Sequence, residues 1–464
     1  MTGQQVQLGG WGMMAHSRAE VLQPDSVSAA QLAVSDAGRR RRTAIPRGSG
    51  FSYGDAALNG NSLVLDTRRL SRIIGLDGQG LVEVEAGVTI GDLCRFATRR
   101  GWWPPVVPGT GRPTLGGCVG ANVHGKNAYI VGTFGEHVQE LDLVLPDGSL
   151  LTCSEEREPD VFRAVIGGYG LLGVIVRMRM RLERQPSRLM VEEIAAPHLT
   201  SIMHILSGSL GPSDHAVAWI DACAQGEGRG RGIVQLARNL NGDSGGSDRE
   251  VGRSGRRPFT RLRSALWPLL LILRTNQGVG ALNSARYELA ALNSGRTSIG
   301  PRERYQFFHD FIPDWRRAFR PGGVLQYQMF VPKECANEVF LACLEAAQEI
   351  KQAPILAVLK RHRTDPALLS YGVDGYSLSL DFPVTSTGLP SLRDALHRLT
   401  DEVVLPAGGR FYLAKDSILT PDQAGRSLGL DALGQFLAIK RRIDPGTLFQ
   451  SDLYRRLFAP LALG

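Results

Sequence analysis

The sequence predicts an α+β protein, and three observations carry that expectation. Short strand-like stretches with hairpin signals fill the first part of the chain. Near residue 186 the character changes to long strands alternating with amphipathic helices. A glycine turn at Gly168–Gly173 has a helix before it and a strand after it, the reverse of the order in a parallel dinucleotide fold. With 464 residues the chain can hold two or three domains with their own cores.

The elements follow in order. Ser62–Asp66 reads as a short strand. Gly80–Gly87 alternates apolar and polar residues, as a half-buried strand does. Thr89 is placed to cap a helix running to Arg100, with Leu93, Phe96 and Ala97 on its apolar face. His137–Thr152 predicts two strands around the Pro146-Asp147-Gly148 turn. Pro159–Ile166 reads as a short helix and Leu172–Leu182 as a strand. Pro332–Gln352 is helical in pattern. Residues 224–260 are rich in Gly, Ser and Arg, a composition that buries no core, and predict a mobile loop.

Composition narrows the function. The net charge is +8, concentrated at Arg39–Arg42 and between Arg229 and Arg263. That excess is either a solvated surface or an attraction for anionic substrates or an anionic membrane face. Nucleic acid is excluded as a partner, because no helix-turn-helix, finger or RNA-binding motif is present. Six cysteines without a CxxC pair or metal spacing read as reduced thiols, and no metal is expected. With no signal peptide and no apolar run of spanning length, the expected location is cytoplasmic or peripherally membrane-associated. The apolar run Trp267–Leu273, flanked by arginines, is either core or a monotopic membrane contact.

The richest segment runs from Pro108 through Thr114, Gly116, Gly117 and Asn122 to His124-Gly125-Lys126-Asn127. Glycines let backbone N–H groups approach a ligand, so the segment points to a phosphate-bearing cofactor. The literal G-x-G-x-x-G at Gly168–Gly173 is not a nicotinamide site, given its reversed flanks.

Several segments taken together resemble one family: Gly10-Trp11-Gly12, Arg47 to Asp55, the His124–Asn127 cluster, Gly168 to Ile175, Leu325–Gln328, Asp381-Phe382-Pro383 and Gly408 to Ser417. The chain is similar to the FAD-linked oxidases of the vanillyl-alcohol oxidase superfamily. More narrowly, it resembles the subfamily that oxidises the 2-hydroxyl of a polyprenyl-phosphoryl ribose. The resemblance implies a two-subdomain PCMH-type FAD-binding domain over residues 1–185. It implies an antiparallel-sheet substrate domain over 186–407, and a segment, 408–464, that returns to the FAD domain. It also implies an NAD(P)H-dependent keto-sugar reductase as partner and a lipid-linked sugar as substrate. A soluble aldonolactone or alditol oxidase, and a catalytically silent flavin-binding scaffold, are the competing readings.

The resemblance also assigns roles. Arg47, Gly48, Ser49, Gly50, Phe51, Ser52 and Tyr53, with Pro108, Gly109, Thr110, Thr114, Gly116, Gly117, Asn122 and Gly125, would cradle FAD. Gly170, Gly173, Val174, Ile175 and Tyr412 would lie against it. Phe51 stands where covalent members often carry histidine, and a phenyl ring cannot link to flavin, so non-covalent FAD is expected. Mycobacterial members have cysteine where this chain has Ser379. Lys415 is expected at the reaction centre, as a cation stabilising reduced flavin or, with a lowered pKa, as a base; a lysine near a terminus is otherwise a solvated surface group. Tyr53 is read as a donor or as a packed aromatic. His124 and Lys126 are read as phosphate or sugar ligands, with a backbone-bonded loop histidine as the alternative for His124. Gln326 and Gln328 project to one face of a strand and, with Lys360 and Ser379, read as substrate-binding groups.

Overall fold

The computed structural model describes residues 3–186, 188–209, 211–240, 275–311, 315–350 and 352–462. A first sheet has the strand order Gln4–Gly9, His16–Leu22, Leu63–Asp66, Ala44–Arg47. Its hairpin is antiparallel and its other pairings are parallel. Parallel neighbours need a crossover, and helix Val27–Arg39 supplies one. Ser26 caps that helix, and Ala30, Ala33, Val34 and Ala37 recur at helical spacing and are buried.

A second, antiparallel sheet has the order Ile73–Leu76, Leu81–Glu85, Val174–Arg181, Val138–Val144, Leu150–Ser154. The alternating stretch and the Pro146-Asp147-Gly148 hairpin fall where expected. Thr89 caps helix Ile90–Thr98, its hydroxyl accepting from the Asp92 N–H. The glycine turn lies between helix Pro159–Val165 and strand Val174–Arg181, so its flanks are indeed reversed.

The third sheet is antiparallel and forms the cap. Its strand order is Arg296–Pro301, Arg188–Ala196, Gly232–Asn239, His215–Ile220, Leu356–His362, Gly375–Pro383, Val324–Pro332, Arg410–Phe411. Helix Ala336–Glu349 buries Val339, Phe340, Cys343, Leu344 and Ala347, and Cys343 Sγ meets Met329 Sδ at 3.5 Å. The period of two along Val324–Pro332 then turns Gln326 and Gln328 to the opposite face.

Two expectations need correction. The mobile loop was placed over 224–260, but Gly232–Asn239 is an interior strand, paired on both sides. Strand alternation explains it: Val234 and Leu236 turn one face to the apolar core, while Ile233 and Gln235 point the other way, into the cavity. Residues 241–260 of that loop, and the apolar run 267–273, lie outside the described residues. Second, the chain does not leave the cap at 408, since Arg410–Phe411 still pairs with Met329 and Phe330.

The tail then runs back to the first sheet. Ala44 N donates to Leu448 O and Gln450 N to Ala44 O. The buried Lys440 ammonium donates to Asp444 at 2.9 Å and to the carbonyls of Leu171 and Phe449 at 2.8 Å. Among the described residues no helix is long and apolar enough to cross a membrane, and no group of three His, Cys, Asp or Glu could hold a metal.

Candidate active site

A cavity of about 600 Å³ lies between the glycine loops and the inner face of the cap sheet. The Arg47–Asp55 loop forms one wall, clamped from two sides. Trp11 N donates to Ser52 O at 2.7 Å and Gly12 N to Tyr53 O at 3.0 Å, while Tyr53 N donates to Ala414 O at 2.8 Å. Arg456 holds the loop's end, donating to both Asp55 carboxylate oxygens at 2.8 Å. Among the described residues, the N–H groups of Ser49, Gly50, Phe51 and Ser52 have no protein acceptor. Four consecutive free donors on a cavity wall make a nest for an anion.

The Pro108–Gly117 loop differs. Gly116 N donates to Ala86 O and Leu115 N to Val88 O. Gly117 N is capped by Thr114 Oγ1, and Gly111 N donates to Asp310. Glycine serves packing here: a Cβ on Gly116 would lie 2.9 Å from the Ala86 Cβ.

On the floor, Lys415 Nζ sits 3.9 Å from the centroid of the Tyr53 ring. Trp11 stacks at 4.6 Å on the same tyrosine. Burial, and then the charge of Asp381, push the Tyr53 hydroxyl well above its ordinary pKa. Burial likewise lowers the Lys415 ammonium, against the pull of Asp381, and raises the Asp381 carboxyl. Gln326 Nε2 donates to Asp381 Oδ1 and lies 3.5 Å from Tyr53 Oη. Asp381 Oδ2 and Gln326 Oε1 are buried without a partner among the described residues, and both residues line the cavity.

His124 forms the adjoining wall. Its Nε2 lies 3.1 Å from Gln328 Nε2, and its ring is ringed by Phe330, His362, Tyr371 and Tyr412. Burial, with Lys360, His362 and Lys415 nearby, drives its pKa well below the ordinary value, so it is a neutral imidazole. Burial lowers Lys126 to about 7 and Lys360 to about 8. The Lys126 ammonium donates to Tyr305 O and lies 3.8 Å above that residue's ring.

Residues 19–154 match the model of an FAD binding domain. The chain is 31% identical over 463 residues to the decaprenylphosphoryl-β-D-ribose oxidase of Mycolicibacterium smegmatis, covering 97% of this chain and 96% of that one. The chain belongs to that family of FAD-linked oxidases. An uncharacterised Streptomyces coelicolor protein is 30% identical over its whole length and 80% of this chain. A putative D-arabinono-1,4-lactone oxidase of Neurospora crassa is 32% identical over 34% of this chain and 29% of its own.

The oxidase is therefore an FAD-dependent oxidoreductase acting on CH–OH groups, and its cavity suits the cofactor. Free N–H donors at Ser49–Ser52 meet the needs of a pyrophosphate, and the glycine walls leave room for an extended molecule. Most residues expected at the site line this cavity: Gly48 to Tyr53, Pro108, Gly109, Thr110, Thr114, Gly116, Gly117, Gly125, Gly170, Gly173, Ile175 and Tyr412. The expected substrate groups His124, Lys126, Gln326, Gln328, Lys360, Ser379 and Lys415 line it as well.

Three expected residues do not. Arg47 turns its guanidinium away, donating to the carbonyls of Ala57 and Gly9 at 3.0 and 2.9 Å. Asn122 is spent on structure, donating to Asp365 and accepting from Gly135 N. Val174 faces the core beside Val144 and Val176. In each case the neighbour in sequence, not the residue itself, reaches the cavity.

Sequence reasoning passed over Asp381 as a site group, although it stands in the Asp381-Phe382-Pro383 segment. Its position two residues from Ser379 on a strand was the available signal. It also missed Asp310, which accepts from Thr110 Oγ1 at 2.6 Å and Gly111 N at 2.7 Å. No local pattern marks a contact across some 200 residues of chain.

Proposed function

We propose that the oxidase converts a secondary hydroxyl of a sugar, the 2-hydroxyl of a polyprenyl-phosphoryl ribose, into a ketone. A separate NAD(P)H-dependent reductase would then complete epimerisation to the arabino sugar. The observation that carries the reading is the polar end of the cap sheet. Gln326, Gln328, Ser379 and Asp381 pair directly across adjacent strands and face the cavity beside three lysines. Amides and hydroxyls on one rigid face can orient sugar hydroxyls, while Lys126, Lys360 and Lys415 supply the charge an anionic substrate requires. The name of the Mycolicibacterium relative supports the same substrate class.

Bound FAD would supply the acceptor for the hydride leaving the carbinol carbon. The chain's own groups would handle the proton and the charge. Asp381, deprotonated, would take the hydroxyl proton at its free Oδ2, with Gln326 fixing the other carboxylate oxygen. Lys415, held as a cation over the Tyr53 ring, would stabilise negative charge as it develops. His124, neutral and locked by Gln328, would orient the sugar. Phe51 offers no nucleophilic atom, so the cofactor would be held without a covalent bond.

The deciding experiment is anaerobic. Farnesyl-phosphoryl-β-D-ribose should bleach the flavin absorbance, and free ribitol, xylitol and aldonolactones should not. Bleaching by the free polyols or lactones alone would instead establish the soluble sugar-oxidase reading. No bleaching by any sugar would favour a silent scaffold.

A further inference from the structure

Exposed apolar surface is unevenly spread over this molecule. The described residues expose eleven large apolar side chains, and six of them fall between residues 282 and 311, on the outside of the cap. Helix Asn276–Ala291 carries part of this surface. It buries Gly278, Val279 and Asn283 and packs on strands Arg188–Ala196 and Gly232–Asn239. Leu282, Ala285, Leu289 and, just past the helix end, Leu292 recur at helical spacing on the opposite side and are exposed. Leu289 is 65% and Leu292 81% exposed, so no described part of the chain covers this face.

Positive charge borders it. Arg286 stands on the flank of the same helix, its guanidinium 4.3 Å from the centroid of the Trp219 ring, and reaches the cavity. Val279 shares a small core with Tyr53 and Phe319, which brings the Trp315–Phe319 turn beside the helix. From that turn and its end, Arg316, Arg317 and Arg320 are exposed and also line the cavity. The nearby carboxylates are engaged: Glu288 meets Arg231 at 3.4 Å, and Asp310 accepts from Thr110 and Gly111.

Leucines on an outer face with arginines along its edge fit a bilayer that carries anionic headgroups. The leucines enter the acyl boundary while the guanidiniums stay at the phosphates. A second copy of the same surface fits less well, because a two-fold contact would set arginine against arginine. We propose that the outer face of helix Asn276–Ala291, with Leu292, docks this protein on an anionic lipid bilayer, with the arginine-lined side of the cavity toward the headgroups. This surface lies outside the cavity, and the proposal holds whichever sugar the cavity oxidises.

The test sediments the FAD-loaded protein with vesicles of phosphatidylcholine alone, and with vesicles of equal parts phosphatidylcholine and phosphatidylglycerol. Binding should be confined to the phosphatidylglycerol vesicles and should weaken as salt is raised. Leu289→Asp with Leu292→Asp should lower the affinity by about tenfold or more. Leu292→Asp alone should lower it in the same direction, and the flavin content of each variant reports its folding. Arg286→Gln with Arg316→Gln should weaken binding and flatten its salt dependence. Leu430→Asp, at a leucine 69% exposed on the tail helix Leu430–Ile443, should change nothing. Absence of vesicle binding overturns the proposal, as does equal binding to both vesicle types, or binding that the leucine variants leave unmoved. A dimer in sedimentation velocity that the leucine variants dissolve, without vesicle binding, would assign the face to a second copy instead.

Discussion

Lys415 and Asp381 gain their chemistry from burial and from each other. Burial disfavours both charged forms, so the carboxyl titrates above its ordinary range and the ammonium below its own. The proposed mechanism requires the carboxylate deprotonated and the ammonium protonated. The kcat/KM profile should therefore rise as Asp381 loses its proton, above pH 3.8, and fall as Lys415 loses its own, below pH 10.5. These limbs belong to the pair rather than to either group alone. Asp381→Asn should remove the acidic limb, and a profile unchanged in that variant would exclude Asp381 as the base. Lys415→Met should lower kcat by about 10²–10³-fold while retaining flavin, as loss of one preorganised charge does. Stopped-flow flavin reduction separates this from a binding defect.

The glycine loops act through backbone placement. A Cβ on Gly48 would lie 2.0 Å from Thr114 Oγ1, the group that caps Gly117 N in the second loop. Gly48→Ala should therefore cost about 1–3 kcal/mol through overpacking and lower the flavin-to-protein ratio on purification. Gly75→Ala, where nothing lies within 4 Å of the added carbon, should leave the ratio unchanged. Asp310 ties the cap to the second loop through Thr110, Gly111 and Arg112. Asp310→Ala should raise the rate of flavin release, followed by fluorescence, more than it changes kcat.

Lys440 joins the tail to the glycine turn at its Leu171 carbonyl and to the chain at Phe449. Its ammonium and the Asp444 carboxylate are both nearly inaccessible, at 2% and 0% exposure. Lys440→Met removes one partner of a buried pair and should destabilise the fold by about 3–5 kcal/mol, measured by urea unfolding. Added FAD should raise the midpoint in wild type by mass action. The intact holoprotein should be yellow, and acid precipitation should leave the flavin in the supernatant, since Phe51 cannot form a link.

Periodicity, caps and turn residues carried the helices, the hairpin and the Gln326/Gln328 face into view, because each depends on neighbours within a few positions. The motifs around Ser49, His124 and Lys415 carried the cofactor class for the same reason. Which loop keeps free donors could not be read locally, since Gly111, Leu115, Gly116 and Gly117 lose theirs to partners elsewhere in the chain. Nor could the roles of Asp310 and Asp381, or the interior place of Gly232–Asn239, which arise from pairing across dozens to hundreds of residues. Local order follows from short-range sterics and hydrogen bonds; the site follows from the register of a sheet whose strands meet only when the whole chain has closed.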